Sequence, residues 1–206
     1  MSDYISKINN FMFKEIQHIQ NPRFLEFGVK EGRSTKIFLD LCKKNNGRLI
    51  SVDINDYSNI FDDINWKFIK CRDDNFEIVE KNIKSKFDVI YLDSLHEADH
   101  VEKIFYYYYD KLKTNGYFFI DDISWLPYLQ NSERDNFYCE MNNKETFNRL
   151  LDIYNNNQKN IEMHFSFFSS GMCKIIKKKE YLNLPLRVVT REKSLKNLIR
   201  KIKFIK

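Results

Sequence analysis

Apolar residues follow two rhythms along this chain, a helical one and a strand one, and the two alternate for most of its length. Ile5, Ile8, Phe11, Met12, Ile16 and Ile19 recur near helical spacing, which predicts a helix over 4–20 that Pro22 ends. A short apolar run predicts a strand over 24–28. After Gly32, Ile37, Phe38, Leu41 and Cys42 mark the inward face of a helix that Asn45-Asn46-Gly47 stops. Strands are expected over 48–54, 66–71 and 87–93. The last is nearly all apolar, as a strand buried on both faces should be. Phe76, Ile78, Val79 and Ile83 place a helix between the third and fourth strands. A helix over about 98–112, closed by Asn115-Gly116, leads to a fifth strand over 117–122.

This β-α repetition predicts a parallel sheet with right-handed crossovers. Then the rhythm changes. An irregular stretch over 124–142 leads to a helix at about 143–155. Two strands, 161–168 and 172–178, are joined by Ser169-Ser170-Gly171, a junction short enough for a hairpin. The domain is read as 1–178, with an N-terminal helix over 1–22 and a core over 24–178. Residues 179–206 form a tail.

The sequence has 206 residues, 43% of them hydrophobic and 16% aromatic, which suits one folded domain with a sizeable core. No run reaches the roughly 20 apolar residues of a membrane span. The first residues lack a secretory pattern. Cys42, Cys71, Cys139 and Cys173 are scattered, without zinc or disulfide spacing, so a reducing cytoplasmic setting is expected. The net charge of +5 is an uneven average. From 177 to 206 there are eleven Lys/Arg against two Glu, so a mildly acidic domain carries a basic tail.

Candidate chemistry starts at the first turn. The first strand ends in Glu26-Phe27-Gly28, a second glycine, Gly32, opens the helix, and the second strand ends in Asp53. This is the layout of a nucleotide site at the edge of a parallel sheet. The glycines let backbone approach a ligand where a Cβ would collide. Ser34 and Thr35 at the helix start offer N–H groups and hydroxyls to an anionic group. Asp53 is placed to hold two ribose hydroxyls. The motif is E-x-G-x-x-x-G, without the G-x-G-x-x-G of dinucleotide sites or a P-loop. Glu26 would repel phosphates but suits an ammonium. A ligand with an amino-acid end, a ribose and no phosphate fits, and S-adenosylmethionine has that form. The segment resembles motif I and its following acid in class I S-adenosylmethionine-dependent methyltransferases. The strand order and lengths over about 20–178 match that family's Rossmann-like, seven-stranded, mostly parallel α/β sheet, with helices on both faces and a C-terminal antiparallel hairpin.

Further acids lie at strand ends: Asp73 and Asp74, Asp93, and the pair Asp121-Asp122. Either Asp73 or Asp74 is expected to reach the adenine side, the other capping the next helix. Three carboxylates in one water-poor cleft, Asp93, Asp121 and Asp122, call for a cation between them. Oxygen ligands suit Mg²⁺, Mn²⁺ or Ca²⁺. The segments Tyr91-Leu-Asp-Ser-Leu-His96 and Phe119-Ile-Asp-Asp122 resemble the D-G-D-H and D-D motifs of the metal-dependent, macrocin-type sugar O-methyltransferases. That resemblance implies Asp93, Asp121 and Asp122 as metal ligands, Asp93 and His96 as catalytic residues, and His96 as base. The chain departs from the motif at Ser94 and at Leu95, where the family has its second acid.

The resemblance implies methyl transfer to a sugar or glycan hydroxyl. A catechol-like small molecule is the enzymatic alternative, and a cofactor-fold binding protein without catalysis is the alternative that Leu95 suggests. Trp125, Tyr128, Phe137, Tyr138 and Asn142 could face an acceptor or form a lid. Leu195, Leu198, Ile199, Ile202 and Ile205 form an apolar stripe on a basic tail helix. Docking on its own domain or a twin subunit is the expectation, peripheral contact with an anionic membrane the alternative. A nucleic-acid partner is not expected, because the cleft is acidic.

Overall fold

The computed structural model describes residues 3–189 and 194–203. Seven strands form one sheet in the order β3-β2-β1-β4-β5-β7-β6. The strands are β1 (Arg23–Phe27), β2 (Arg48–Asp53), β3 (Trp66–Lys70), β4 (Phe87–Leu92), β5 (Leu112–Asp121), β6 (Ile161–Ser166) and β7 (Met172–Lys177). The first five run parallel, and β7 pairs antiparallel with both β5 and β6. The expected α/β sheet with a terminal hairpin is therefore what forms.

Strand alternation splits the apolar residues into two cores. Leu25, Phe27, Ile90 and Leu92 point to one face, where α5 (Ala98–Tyr109), α4 (Phe76–Asn82) and α6 (Phe137–Asn155) supply Val101, Ile104, Val79 and Leu150. Phe24, Val89, Tyr91 and Phe119 point to the other. There they meet Phe38 and Leu41 of α3 (Arg33–Asn45) and Ile8, Met12 and Ile16 of the N-terminal helix.

That first helix is not regular. It starts as α1 (Asp3–Lys7), widens to a π-helical segment over Ile8–Phe13 and closes as α2 (Lys14–Ile16), short of the expected end at 20. Two other boundaries differ. Helix α5 stops at Tyr109, and Leu112 already pairs with Phe87. Asn115-Gly116 is then an irregularity inside β5, where the register shifts between Phe87 and Val89, and not a helix stop. Helix α6 begins at Phe137 because the Asn136 side chain accepts the Cys139 N–H at 3.2 Å.

The chain after β7 runs back over α6. Asp152 accepts backbone N–H groups of Leu186 and Val188, and Asn157 that of Asn183. The start of the expected tail is thus tied to the domain. Helix α7 (Leu195–Lys203) follows, with Leu195, Ile199 and Ile202 exposed. Ile205 lies outside the described residues. No helix among the described residues is long and apolar enough to cross a membrane.

Candidate active site

Parallel register brings the strand ends to one edge. Phe27 pairs with Val52 and Leu92, and Leu92 with Ile120, so Asp53, Gly28, Asp93 and Asp121 follow one another across the sheet. The strand order reverses between β1 and β4, the switch point where open α/β sheets bind ligands. Two cavities meet there. One, of about 520 Å³, is lined by Tyr4, Lys30, Arg33, Ser34, His96, Asp121, Asp122, Tyr128 and Arg134, among others. The other, of about 330 Å³, is lined by Val52, Asp53, Cys71, Asp73, Leu95 and His100. Gly28, Lys30, Asp93 and Ser94 border both.

Gly28 has φ +93°, and a Cβ there would lie 2.0 Å from the Asp93 carbonyl oxygen. Only glycine allows the ends of β1 and β4 to close to this distance. Gly32 precedes α3 with φ +69°. Lys30, in the place where dinucleotide motifs carry glycine, also takes a left-handed backbone, φ 49°. Asp53 holds this loop: Oδ2 accepts the N–H groups of Val29 at 2.8 Å and Lys30 at 3.4 Å. Asp53 therefore shapes the turn as well as lining the smaller cavity.

Glu26 differs from its expected role. Its side chain is fully buried and lines neither cavity. Ser34 Oγ and Ser51 Oγ each donate to it at 2.6 Å and Thr35 Oγ1 at 2.8 Å. The hydroxyls of Ser34 and Thr35, expected to face an anionic group, are thus committed to Glu26. A buried carboxyl must find donors inside the protein, and these are the nearest. Burial raises its pKa to about 7, against the three hydroxyl hydrogen bonds.

Geometry separates Asp73 from Asp74. Asp73 is buried beside the smaller cavity, where Ser94 Oγ donates to it and His100 Nε2 lies 2.8 Å away. Asp74 turns outward to Arg72 and Lys103, and the Arg72 hydrogen bond leads in holding its pKa well below the usual range. Asn75, not an aspartate, caps α4.

The acids of β4 and β5 converge on the larger cavity. Asp122 takes a left-handed backbone, φ 55°, which turns it beside Asp121. His96 Nε2 lies 3.3 Å from Asp122 Oδ2 and 3.6 Å from Asp93 Oδ1. Leu95, one residue earlier, lines the other cavity. Tyr91 Oη donates to Asp121 Oδ2 at 2.8 Å, and Tyr4 Oη to Asp93 Oδ2 at 3.1 Å. Desolvation pushes the pKa of Asp93 well above its ordinary value, and the charges of Asp121 and Asp122 add to this. Desolvation also raises Asp121, against the attraction of Lys7.

Lys7 is a residue that sequence reasoning missed. Its buried ammonium bonds Asp121 Oδ1 and lies 3.9 Å from Asp122 Oδ1. Both oxygens of Asp121 then accept hydrogen bonds, Oδ1 from Lys7 and the Asp122 N–H, Oδ2 from Tyr91. The three expected ligands do come together, and their hard oxygens suit Mg²⁺. An ion between Asp121 and Asp122 would have to evict an ammonium, so the residues as arranged do not fit one. No group of three His, Cys, Asp or Glu among the described residues is arranged to hold a metal. Tyr91 and His100 were also missed. Tyr91 stands two residues before Asp93 at the end of β4, a period-2 signal, whereas His100 lies on α5 and His96 in the loop before it, so no helical period links them.

Comparison with known proteins agrees with this geometry. Residues 25–123 match the family model described as a methyltransferase domain. No curated protein matches the chain. The fold is similar to MycE methyltransferase from the mycinamycin biosynthetic pathway, solved with Mg and SAH, with 20% identity and a TM-score of 0.62 over 82% of this chain and 48% of that one. It is similar to the SAH-bound Podospora anserina methyltransferase PaMTH1, with 16% identity and a TM-score of 0.57 over 77% and 72% of the two chains. A Staphylococcus aureus protein described as a caffeoyl-CoA O-methyltransferase shares 14% identity, with a TM-score of 0.63 over 86% and 85%. The fold is that of the class I S-adenosylmethionine-dependent methyltransferases. The chain spans about half the length of MycE.

Proposed function

We propose that this protein transfers a methyl group from S-adenosylmethionine to a hydroxyl of a sugar or glycan. The observation that carries this reading is the pairing of two cavities across Gly28 and Asp93, one suited to the nucleoside and the other polar and open to an acceptor. The adenosine would lie in the smaller cavity, its ribose toward Asp53 and its base toward Asp73 and Leu95. The methionine end would cross Gly28, where no side chain intervenes.

The larger cavity supports a sugar over a catechol. Charged groups, hydroxyls and His96 dominate its wall, and Tyr4 and Tyr128 are the phenol rings on it among the described residues. In the reaction the acceptor oxygen attacks the sulfonium methyl in line. The new O–CH₃ bond forms as the S–CH₃ bond breaks, and S-adenosylhomocysteine leaves. His96 takes the hydroxyl proton, with Asp122 and Asp93 close enough to stabilise the imidazolium. The site supplies proximity and orientation, which can lower such a barrier substantially. The Mg²⁺ assistance implied by the resemblance is not part of this proposal, because Lys7 stands against Asp121.

Calorimetric titration of S-adenosylhomocysteine into the purified chain tests the cofactor half. Transfer of labelled methyl to a panel of glycosides and catechols tests the acceptor half. Binding with label on glycosides is expected. Absence of binding would refute the reading, and label on catechols alone would replace the acceptor.

A further inference from the structure

The ammonium of Lys7 is placed with more care than a stray buried charge would be. It has three hydrogens and three acceptors: Asp121 Oδ1, Ser170 Oγ at 2.8 Å and the Gly171 carbonyl at 3.5 Å. The ring of Tyr4 lies 5.1 Å from it. Asp121 stands on β5, Ser170 and Gly171 in the turn before β7, and Lys7 arrives from 114 positions away in sequence. The π-helical segment begins at the next residue, Ile8. Such widened turns commonly reposition functional side chains. Here Lys7 is buried together with Ile8 and Met12.

We propose that Lys7 is the resident cation of the acid cluster, standing against Asp121 and Asp122 in place of a divalent metal and making the protein metal-independent. Lys7 and the Asp122 N–H occupy Asp121 Oδ1, and Tyr91 donates to Oδ2, so the ammonium already stands where a bridging ion would sit. Displacing the ammonium would strand a buried charge beside the incoming one. The fixed positive charge balances Asp121 and holds the Asp121-Asp122 turn, leaving Asp122 free to face His96. Lys7 is a positioning residue in this scheme: it acts through the two aspartates. The catalytic meaning rests on the methyl-transfer reading above, but the ion-binding test does not.

The test is a Mn²⁺ titration of the full chain, stripped with EDTA, with free Mn²⁺ read by electron paramagnetic resonance. The wild type is expected to bind no stoichiometric Mn²⁺, with or without S-adenosylhomocysteine. Lys7→Met removes the charge at similar length and should bind Mn²⁺ at least about tenfold more tightly, because the acid cluster then lacks its counter-charge. Methyl transfer by the wild type should be equal in EDTA and in Mg²⁺. One equivalent of Mn²⁺ bound by the wild type and lost in Asp121→Asn would overturn the proposal. So would a folded Lys7→Met chain that binds no more Mn²⁺ than the wild type. If Lys7→Met does not fold, the wild-type titration decides by itself. Failure to bind S-adenosylhomocysteine would count against the methyl-transfer reading while leaving the Mn²⁺ result intact.

Discussion

Tyr91 Oη donates to Asp121 Oδ2 across 2.8 Å, joining the ends of β4 and β5 beneath the cleft. Tyr91 is fully buried, so water cannot replace this donor. Tyr91→Phe should lower the unfolding free energy by roughly 1–3 kcal/mol, the cost of a buried acceptor left short of a donor. Urea unfolding measures it. An unchanged midpoint would mean that the carboxylate finds another partner.

Gly28 admits no side chain. Gly28→Ala places a Cβ within 2.0 Å of the Asp93 carbonyl and imposes a left-handed backbone on alanine. The combined overpacking and backbone strain should cost roughly 2–5 kcal/mol. Binding of S-adenosylhomocysteine should be lost even where the variant still folds, because Gly28 borders both cavities.

Glu26 predicts a pH dependence of stability. Its folded pKa is about 7 against an ordinary 4.5, so the folded state holds its proton more tightly. The group's contribution to stability is full below about 4.5 and is lost as pH rises through about 7. The loss should be on the order of 3 kcal/mol. Glu26→Gln should flatten this part of the curve when unfolding is followed from acid to neutral pH. Parallel curves for the two proteins would contradict the assignment.

His96 borders the larger cavity only. His96→Asn should therefore lower kcat by about 10²- to 10⁴-fold, the usual range for a general base, with little change in S-adenosylhomocysteine affinity. Equal losses in both would place His96 in cofactor binding.

Helix α7 leaves Leu195, Ile199 and Ile202 exposed. Truncation after Val189 should leave the thermal midpoint of the domain unchanged, as differential scanning calorimetry would show. A clear drop would mean that α7 is covered in solution.

The sequence by itself determined the sheet, its strand order by family likeness, and the row of acids at its edge. Those follow from local signals: apolar period, glycine turns and the position of an acid at each strand end. It also put Asp93, His96, Asp121 and Asp122 in one place, because parallel strands of similar length end at the same edge. It could not say which way each carboxylate turns. Asp73 faces a cavity and Asp74 faces Arg72 and Lys103, and only the packed neighbours separate two adjacent identical residues. Glu26 carried the expected motif, yet Ser34, Thr35 and Ser51 from two other elements claim its oxygens. Lys7 left no signal at all, since a lysine in an amphipathic helix is ordinarily solvated. Tertiary structure alone decided that it is buried against Asp121, because the contact is between residues far apart in the chain and depends on how the N-terminal helix lies on the sheet.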